Sequence, residues 1–313
     1  MDIKFDLMEQ EGQMFIHQPD EPTASQEVQV LLRELYELEK KYRSQVLASP
    51  PGSAQRAELG RAVFCEIYSY LDRIFQKQGL QFYSSGFADK SDCAASIRNL
   101  SGARDARCIE IGAGGGSLCH AIAKTGWPAL GLDIVEGPDW KKITTQTAGR
   151  AEFRVCDITI ENDLPWGTFD ICIMDGALEH IPDGDYMPVL KKVWKLLKPG
   201  GWFVVSMPNP LSGPHDVSKY FVARGRPAEC GHYNERTVRQ LLRDFKNSGF
   251  CGFKSVVARD INFGSRLPLM NWSGLWLLRA LFFEGLFSVF LPQFIKKSYF
   301  SILVPCAVAA RKR

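Results

Sequence analysis

The chain has 313 residues, of which 45% are hydrophobic and 23% charged, with a formal net charge of +3. That length accommodates one large domain with additions or two small ones, and so small a net charge gives no argument for nucleic-acid binding. The nine cysteines form no Cys-x-x-Cys pair and the five histidines no zinc-spaced cluster. We therefore expect no metal site, no disulfides and a reducing, cytoplasmic setting, and we see no signal-peptide pattern at the N-terminus.

Two helical patterns come first along the chain. A capping-box pattern at residues 23–26 opens a helix whose apolar residues recur at helical spacing as far as Tyr42. The Ser-Pro-Pro-Gly-Ser stretch at 49–53 ends it, and a second helical pattern covers residues 54–78. We predict a helical hairpin packed on the main domain within residues 1–80, with a dimerising or lid element as the alternative, and assign it no chemistry.

Strands and helices alternate from about residue 104, which is typical of a parallel α/β sheet. The predicted helices cover residues 117–125, 185–198 and 235–248, with Asn234 or Thr237 as a cap for the last. The predicted strands cover residues 107–111, 129–133, 151–156, 169–174, 201–207 and 253–258, and a final apolar run covers 299–309.

The stretch Cys-Ile-Glu-Ile-Gly-Ala-Gly-Gly-Gly-Ser-Leu-Cys at 108–119 predicts a strand, a tight turn and a helix N-terminus. Such a turn exposes bare backbone N–H groups to a nucleotide-like ligand, because glycine has no Cβ. A nicotinamide fingerprint requires glycines at 112, 114 and 117, but position 117 is Ser. The alternative is an acid-x-Gly-x-Gly-x-Gly pattern that begins at Glu110.

Downstream motifs decide between the two patterns. Asp133 ends the second predicted strand and Asp157 the third, while a Leu-Glu-His-Ile-Pro block at 178–182 and a Leu-Lys-Pro-Gly-Gly block at 197–201 follow. Over about residues 100–260 this order resembles class I S-adenosylmethionine-dependent methyltransferases, of the small-molecule or lipid type found in ubiquinone biosynthesis. A nicotinamide-dependent oxidoreductase stays as the less favoured alternative.

The resemblance implies a cofactor, S-adenosyl-L-methionine, and a role for each matching residue. The glycine turn would approach the methionyl end of the cofactor, and Glu110 would hold the ammonium group of that end. Asp133 would hold the ribose and Asp157 the adenine. Asp175 would line the sulfonium end. A structural N-cap is the alternative for Asp157 and Asp175. The cofactor-binding residues that the resemblance implies are Glu110, Gly112, Ala113, Gly114, Gly116, Asp133, Ile134, Asp157, Ile158, Asp175 and Gly176.

Two histidines are candidates for a general base. A hydroxyl acceptor must lose a proton, and imidazole is well matched to that task near neutral pH. His180 follows the fourth predicted strand, at the edge of the sheet where α/β sites form. His232 is the second candidate. The alternatives are that Glu179 and His180 form a structural pair and that His232 merely enters a helix.

An apolar insertion separates the sixth strand from the last. Its hydrophobic run at 267–291 contains Arg279 and Glu284, charges that argue against a membrane-spanning helix. Three interpretations stay open: a lid over the acceptor, a dimer surface, or an element in the membrane interface through residues 266–297. The basic C-terminal region, with a net charge of +7 over residues 251–313, is compatible with anionic headgroups.

We therefore predict a Rossmann-like class I methyltransferase fold, with a seven-stranded, mostly parallel sheet and a reversed last strand. Its parts are a helical cap (1–80), a cofactor-binding core (81–260), an apolar helical insertion (261–298) and a final strand (299–313). The predicted function is methyl transfer to oxygen of a small or lipid-linked acceptor, without nucleic acid. A catalytically silent cofactor-binding scaffold is the alternative.

Overall fold

A computed structural model of the chain describes residues 26–77, 89–223, 226–256, 272–290 and 307–313. Within these ranges helices flank one seven-stranded sheet with strand order β3-β2-β1-β4-β5-β7-β6. In chain order the elements are α1 (Gln26–Ala48), α2 (Ala54–Lys77), α3 (Ser91–Ser101), β1 (Cys108–Ile111), α4 (Ser117–Lys124), β2 (Ala129–Asp133), α5 (Trp140–Gln146), β3 (Ala151–Val155), β4 (Phe169–Asp175), α6 (Asp183–Leu196), β5 (Leu197–Ser206), α7 (Val238–Asn247), β6 (Phe250–Ser255), α8 (Gly274–Phe290) and β7 (Ala307–Lys312).

The centre of the sheet is parallel and buried on both faces. All four residues of β1 are buried, and Cys108 lies opposite Ala129 of β2 and Ile171 of β4 in parallel register. Such strands read as continuous apolar runs because helices cover both faces. β7 pairs antiparallel with both β5 and β6. The predicted fold, with its reversed last strand, is confirmed.

The fourth predicted helix differs from α6 at both ends. The sequence predicted a helix over residues 185–198 that Pro199 would end, but α6 ends at Leu196 and β5 begins at the next residue. Phe169 pairs with Leu197 and Ile171 with Trp202, so the Pro-Gly-Gly stretch forms an irregularity inside the strand. Pairing with β4 overrides the local signal, because hydrogen bonds to a neighbouring strand satisfy backbone groups that a turn would expose.

The last two strands are displaced from their predicted positions, and two short helices were not predicted. β6 begins three residues before the predicted 253, and β7 overlaps only residues 307–309 of the predicted final run. Residues 257–258 and 299–306 of those predictions lie outside the described residues. The helices α3 and α5, of 11 and 7 residues, are absent from the prediction. The predicted domain boundaries at 80, 260 and 298 also lie outside the described residues.

The hairpin of α1 and α2 packs on the core through a buried ion pair. Arg56 Nη1 donates to Asp185 Oδ2 of α6 at 2.9 Å, and both side chains are almost fully buried. Gly52 N, in the turn between the helices, donates to Asp185 Oδ1 at 2.6 Å. One carboxylate therefore fixes the hairpin turn against α6. Buried apolar residues complete this contact layer: Val28, Leu31, Leu32, Leu35, Val63, Ile67 and Ile74.

The insertion contributes α8, which packs beside α7 and β6. Ser273 bridges to Ser255 at the end of β6, and the helix buries Leu277, Ala280 and Phe287 along one face. Glu284 is also buried on that face, and its carboxylate accepts the N–H groups of Val238 at 2.6 Å and Arg239 at 3.0 Å. No helix in the described ranges has the length and apolar character needed to cross a bilayer.

Glu284 therefore acts as a capping carboxylate for a helix that is distant in sequence. Negative charge is favourable at a helix N-terminus, where the first N–H groups have no partner inside the helix. Asn209 Nδ2, beyond the end of β5, also donates to Glu284 at 3.1 Å. One charge in the insertion thus joins α8, α7 and the end of β5.

We expect Glu284→Ala to lower the free energy of unfolding by about 2–4 kcal/mol, because it leaves buried donors without an acceptor. Urea unfolding checks this value. Ser288→Ala, on the exposed side of the same helix, is the matched control and is expected to change it by less than about 0.5 kcal/mol. Equal effects of the two substitutions would contradict the capping role.

Candidate functional site

The glycine turn after β1 is built for close approach. Gly112, Gly114 and Gly116 all have positive φ, of 79°, 50° and 89°. A Cβ on Gly112 would lie 2.4 Å from Ala177 Cβ, and one on Gly116 would lie 2.7 Å from the Phe153 ring. Gly114 has no atom within 4 Å of its Cβ position. Packing therefore requires glycine at 112 and 116, whereas at Gly114 the space beside Cα is open although its N–H and carbonyl are bonded to Asp133 and Trp140.

A cavity of about 400 Å³ begins at this turn, at the carboxyl edge of the sheet. Seven of the predicted cofactor-binding residues line it, and so does His180. Glu110, Ala113, Gly116, Asp175 and His232 do not. The seven residues that line the cavity are Gly112, Gly114, Asp133, Ile134, Asp157, Ile158 and Gly176.

Two carboxylates project from the ends of adjacent strands at this edge. Asp133 Oδ2 accepts Gly114 N at 2.8 Å and its Oδ1 accepts Val135 N at 3.2 Å. Burial raises the pKa of Asp133, while these backbone donors act in the opposite direction. Asp157 accepts both the N–H and the hydroxyl of Thr159 on Oδ1, at 2.8 and 2.7 Å. A carboxylate oxygen accepts up to two hydrogen bonds, so both groups keep capacity for a ligand.

Two of the predicted acids lie behind the cavity wall. Glu110 is 4% exposed and accepts the Cys119 thiol at 3.1 Å, and burial raises its pKa to about 8. Asp175 has its side chain on the α3 side of the sheet, where Lys90 Nζ lies 3.5 Å from Oδ2. Asp175 Oδ1 is buried without a hydrogen-bond partner. In the same segment Met174, Gly176 and Ala177 line the cavity instead.

The α1–α2 hairpin forms the other half of the cavity, whereas the sequence prediction assigned it no chemistry and gave a lid element only as an alternative. Glu39, Arg56 and Tyr233 are among the polar groups there. The sequence signal was present but ambiguous, since an apolar helical stripe reads equally as core. The apolar wall consists of Tyr42, Val46, Val63, Phe64, Ile67, Tyr68 and Leu71.

His180 lies where the two halves meet. Its ring packs edge-on against Phe64 of α2, with the centroids 5.3 Å apart. Nδ1 lies 3.0 Å from Gly231 O, and a carbonyl only accepts, so Nδ1 carries the proton and Nε2 is the acceptor. Burial and the neighbouring His232 lower the pKa of His180 to about 3. His180 is therefore neutral throughout the physiological pH range.

His232 is buried behind His180 and belongs to an ion network. The two rings are nearly perpendicular, with the centroids 4.8 Å apart. His232 Nδ1 lies 2.8 Å from Glu235 Oε1, and His215 Nδ1 lies 3.3 Å from Glu235 Oε2. Burial alone lowers the pKa of His232, but Glu235, Glu179 and other carboxylates raise it above its ordinary value. His232 thus supports the cavity wall and does not reach the cavity.

Gly231 connects the hairpin to His180. Its N–H donates to Glu39 Oε2 of α1 at 2.8 Å, and its carbonyl accepts from His180. A Cβ at this position would lie 3.1 Å from Glu39 Oε2, which is tighter than a side chain normally tolerates. Burial and the nearby Asp216 raise the pKa of Glu39 to about 8. The sequence analysis missed Glu39, since only the fold brings it to the site.

Among the residues that the structure describes, two groups of side chains have the residue types of metal ligands. Glu179, His180 and His232 place one ligand atom each within 4.8 Å of one another, as do Glu39, Asp216 and Cys230. Burial raises the pKa of the Cys230 thiol far above its ordinary value, which disfavours the thiolate that metals bind. The sequence predicted no metal site, and we assign no metal to these residues.

Known proteins share the sequence of the core that carries this site. Residues 87–252 match the model of a family described as a methyltransferase domain. The chain is 26% identical over 190 residues to a ubiquinone biosynthesis O-methyltransferase of Pseudomonas fluorescens, which covers 53% of this chain and 78% of that protein. It is 28% identical over 138 residues to the Xanthomonas campestris enzyme of that name, covering 42% of this chain and 56% of that protein.

Two solved structures share the fold. The Burkholderia thailandensis 1,6-didemethyltoxoflavin-N1-methyltransferase, with bound S-adenosylhomocysteine, has a TM-score of 0.50 at 16% identity and covers 85% of this chain and 92% of its own. The Haemonchus contortus phosphoethanolamine N-methyltransferase 2, in complex with S-adenosyl-L-methionine, has a TM-score of 0.51 at 17% identity and covers 81% and 60%. At these identities the likeness concerns the fold alone.

The buried carboxyl of Glu110 generates a pH prediction for the ligand-free protein. Its pKa of about 8 exceeds the ordinary value of 4.5, so the folded chain holds a proton that the unfolded chain releases. Its contribution to stability is therefore complete below about pH 4.5 and is lost as the pH rises through about 8. We expect Glu110→Gln to flatten the pH dependence of the unfolding free energy in this window by up to about 1.4 kcal/mol per pH unit.

Urea unfolding between pH 5 and 9 measures this difference. Glu161→Gln is the control, because backbone hydrogen bonds from Asp163 and Asn162 lower the pKa of Glu161 and confine its effect to the acid side. A stability difference between wild type and Glu110→Gln that stays constant with pH would show that Glu110 is ionised in the folded protein.

Proposed function

Because the chain belongs to the methyltransferase domain family and is a class I S-adenosylmethionine-dependent methyltransferase, we propose that it methylates an oxygen atom of a small acceptor with an apolar body. The observation that carries this proposal is one continuous cavity. It joins the glycine turn to an apolar chamber under α1 and α2, with the neutral His180 at the junction. The apolar body would be an aromatic ring or a lipid-like chain.

The cofactor half supplies the positions that the ligand requires. In this proposal the backbone of Gly112 and Gly114 approaches the methionyl end, Asp133 accepts the ribose hydroxyls and Asp157 accepts the adenine amino group. Gly176 lies next to the sulfonium end of the cofactor. Glu110 acts on the ammonium end from behind the cavity wall. The bound cofactor supplies a sulfonium methyl group that is already activated, so the chain chiefly aligns the acceptor and excludes water.

His180 acts on the proton of the acceptor. With Nδ1–H donated to Gly231, Nε2 is left to accept a hydrogen bond from the acceptor hydroxyl and to aim an oxygen lone pair in line. As the C–O bond forms and the methyl–sulfur bond breaks with its electron pair left on sulfur, the acceptor oxygen would become positively charged and its proton strongly acidic. A base as weak as His180 can then take that proton and pass it to solvent, with Glu235 favouring the charged ring while burial and His232 disfavour it.

The chamber favours an acceptor with an extended apolar part. Its wall of aliphatic and aromatic side chains offers few hydrogen-bonding groups, and burial of a CH₂ group contributes about 0.8 kcal/mol. The polar groups in its lining, among them Glu39, Arg56 and Tyr233, would hold a ring substituent. Relatives named O-methyltransferases support oxygen as the methylated atom.

Activity is expected to depend on His180 without a matching effect on cofactor binding. We expect His180→Asn to lower kcat by roughly 10²–10⁴-fold and to leave the Kd of the cofactor nearly unchanged. His120→Asn, on the helix after the glycine turn, is the control and should keep activity. Equal activity of His180→Asn and wild type would remove the base from the proposal.

A panel of acceptors tests the proposal directly. Purified protein is incubated with labelled methyl donor and phenols that carry alkyl tails of increasing length, with anilines of the same shape as controls. We expect label in the ether product and a kcat/KM that rises about fourfold per added CH₂ until the chamber is full. Preferential labelling of the anilines would overturn oxygen as the acceptor. Cofactor binding without transfer to any of them would favour the scaffold alternative.

A further inference from the structure

One face of α8 exposes large apolar side chains to solvent. Leu275, Leu278, Phe282 and Leu286 are 75%, 64%, 67% and 38% exposed, at a spacing of three and four residues. They amount to half of the eight exposed large hydrophobic residues in the part of the chain that the structure describes. The opposite face of the helix is packed on the core. This apolar stripe therefore has a different purpose from stabilising the fold.

Basic side chains border the stripe on both sides. On one side α7 contributes Arg239, Arg243 and Lys246, which line a groove of about 320 Å³ that also includes Leu281 of α8. Leu281 precedes Phe282 by one position, so the groove adjoins the stripe. On the other side Arg279 lies over the Trp276 and Phe283 rings, at 5.4 and 5.8 Å.

We propose that this surface, the apolar stripe of α8 with its basic borders, docks on an anionic lipid bilayer. Exposed leucine and phenylalanine beside arginine and lysine is the arrangement of helices that lie in a membrane interface with their apolar face down. The positive charges complement acidic headgroups. The helix lies along the surface, since its buried face with Glu284 stays attached to α7.

The orientation links the surface to the catalytic edge. Glu284 contacts Asn209, which follows the carboxyl end of β5, and the N-terminus of α7. The carboxyl ends of the parallel strands also carry the glycine turn. Docking through α8 would therefore attach the protein close to the edge of the sheet that also carries the cavity. This inference goes beyond the proposed function, because it concerns attachment and does not require any particular acceptor.

Vesicle sedimentation of the full chain tests the inference. We expect wild type to bind vesicles of phosphatidylcholine with one quarter phosphatidylglycerol, and to bind pure phosphatidylcholine much more weakly. Phe282→Ser should weaken binding about tenfold, through lost apolar burial. Arg243→Gln and Lys246→Gln should each weaken it about fivefold, and added salt should weaken wild type similarly. Free inorganic phosphate should not compete.

Control variants make the result specific. Val30→Ser and Leu47→Ser remove apolar residues of similar exposure from α1, at 51% and 46%, and should leave binding unchanged. Equal binding to neutral and anionic vesicles, or equal loss in the α1 variants, would overturn the proposal. The proposal would also be overturned if sedimentation velocity showed a wild-type dimer that Phe282→Ser dissociates. A lower Tm of Phe282→Ser would overturn it too, because it would show that another segment of this chain covers the stripe. Methyl transfer to soluble acceptors should survive in Phe282→Ser, Arg243→Gln and Lys246→Gln, which separates this result from the proposed function.

Discussion

The backbone of Gly231 joins the two halves of the site. Its N–H holds the carboxyl of Glu39 on α1, and its carbonyl holds Nδ1 of His180. A single backbone unit therefore positions the helical hairpin and sets the tautomer of the imidazole that faces the cavity. The close packing of Glu39 leaves little room for a side chain at this position. These two hydrogen bonds orient His180 and add to the Asp185 contacts that hold the hairpin on the core.

Buried charge around Gly231 is arranged so that most groups have partners. Arg43 donates to the carbonyls of Cys230 and His232, and Asp216 accepts the N–H of Cys230. Burial raises the pKa of Glu179 to about 7, whereas His215 and His232 overcome burial and lower that of Glu235 to about 2. An unpaired buried charge would be costly, so such networks specify one arrangement of the loop. That rigidity suits a site whose main task is alignment.

The cofactor half of the site could be predicted because its residues are local in sequence. A strand, a glycine turn and a helix succeed one another, and Asp133 and Asp157 end neighbouring strands whose carboxyl ends meet at one edge. Asp175 shows the limit of that argument. The residue ends β4 as expected, but side chains alternate between the faces of a strand, and this one points towards Lys90 and α3. The strand pattern predicted the position of Asp175 at the end of β4, but the face of the sheet on which its side chain lies became known only from the packing.

The acceptor half could not be predicted in the same way. Its walls come from α1 and α2, and a helical apolar stripe does not reveal whether it faces core or cavity. For the insertion the sequence suggested a role in the site that the described residues do not have. The lid interpretation placed it over the acceptor. Residues 272–290 line no part of the cavity, and α8 packs beside α7 instead. Glu284, which the sequence presented as an obstacle to membrane insertion, is a helix cap.

What the sequence by itself determined is the class of fold and the cofactor, because both follow from short-range patterns of glycine, acid and apolar residues. Tertiary structure alone decided which residues enclose the acceptor, which histidine faces the cavity, and which side of α8 remains exposed. These outcomes depend on contacts between segments that lie far apart along the chain, such as Glu39 with Gly231 and Glu284 with Val238. No local pattern encodes a long-range partner. Before the core packs, the polar groups of these residues can be satisfied equally well in several arrangements of the chain.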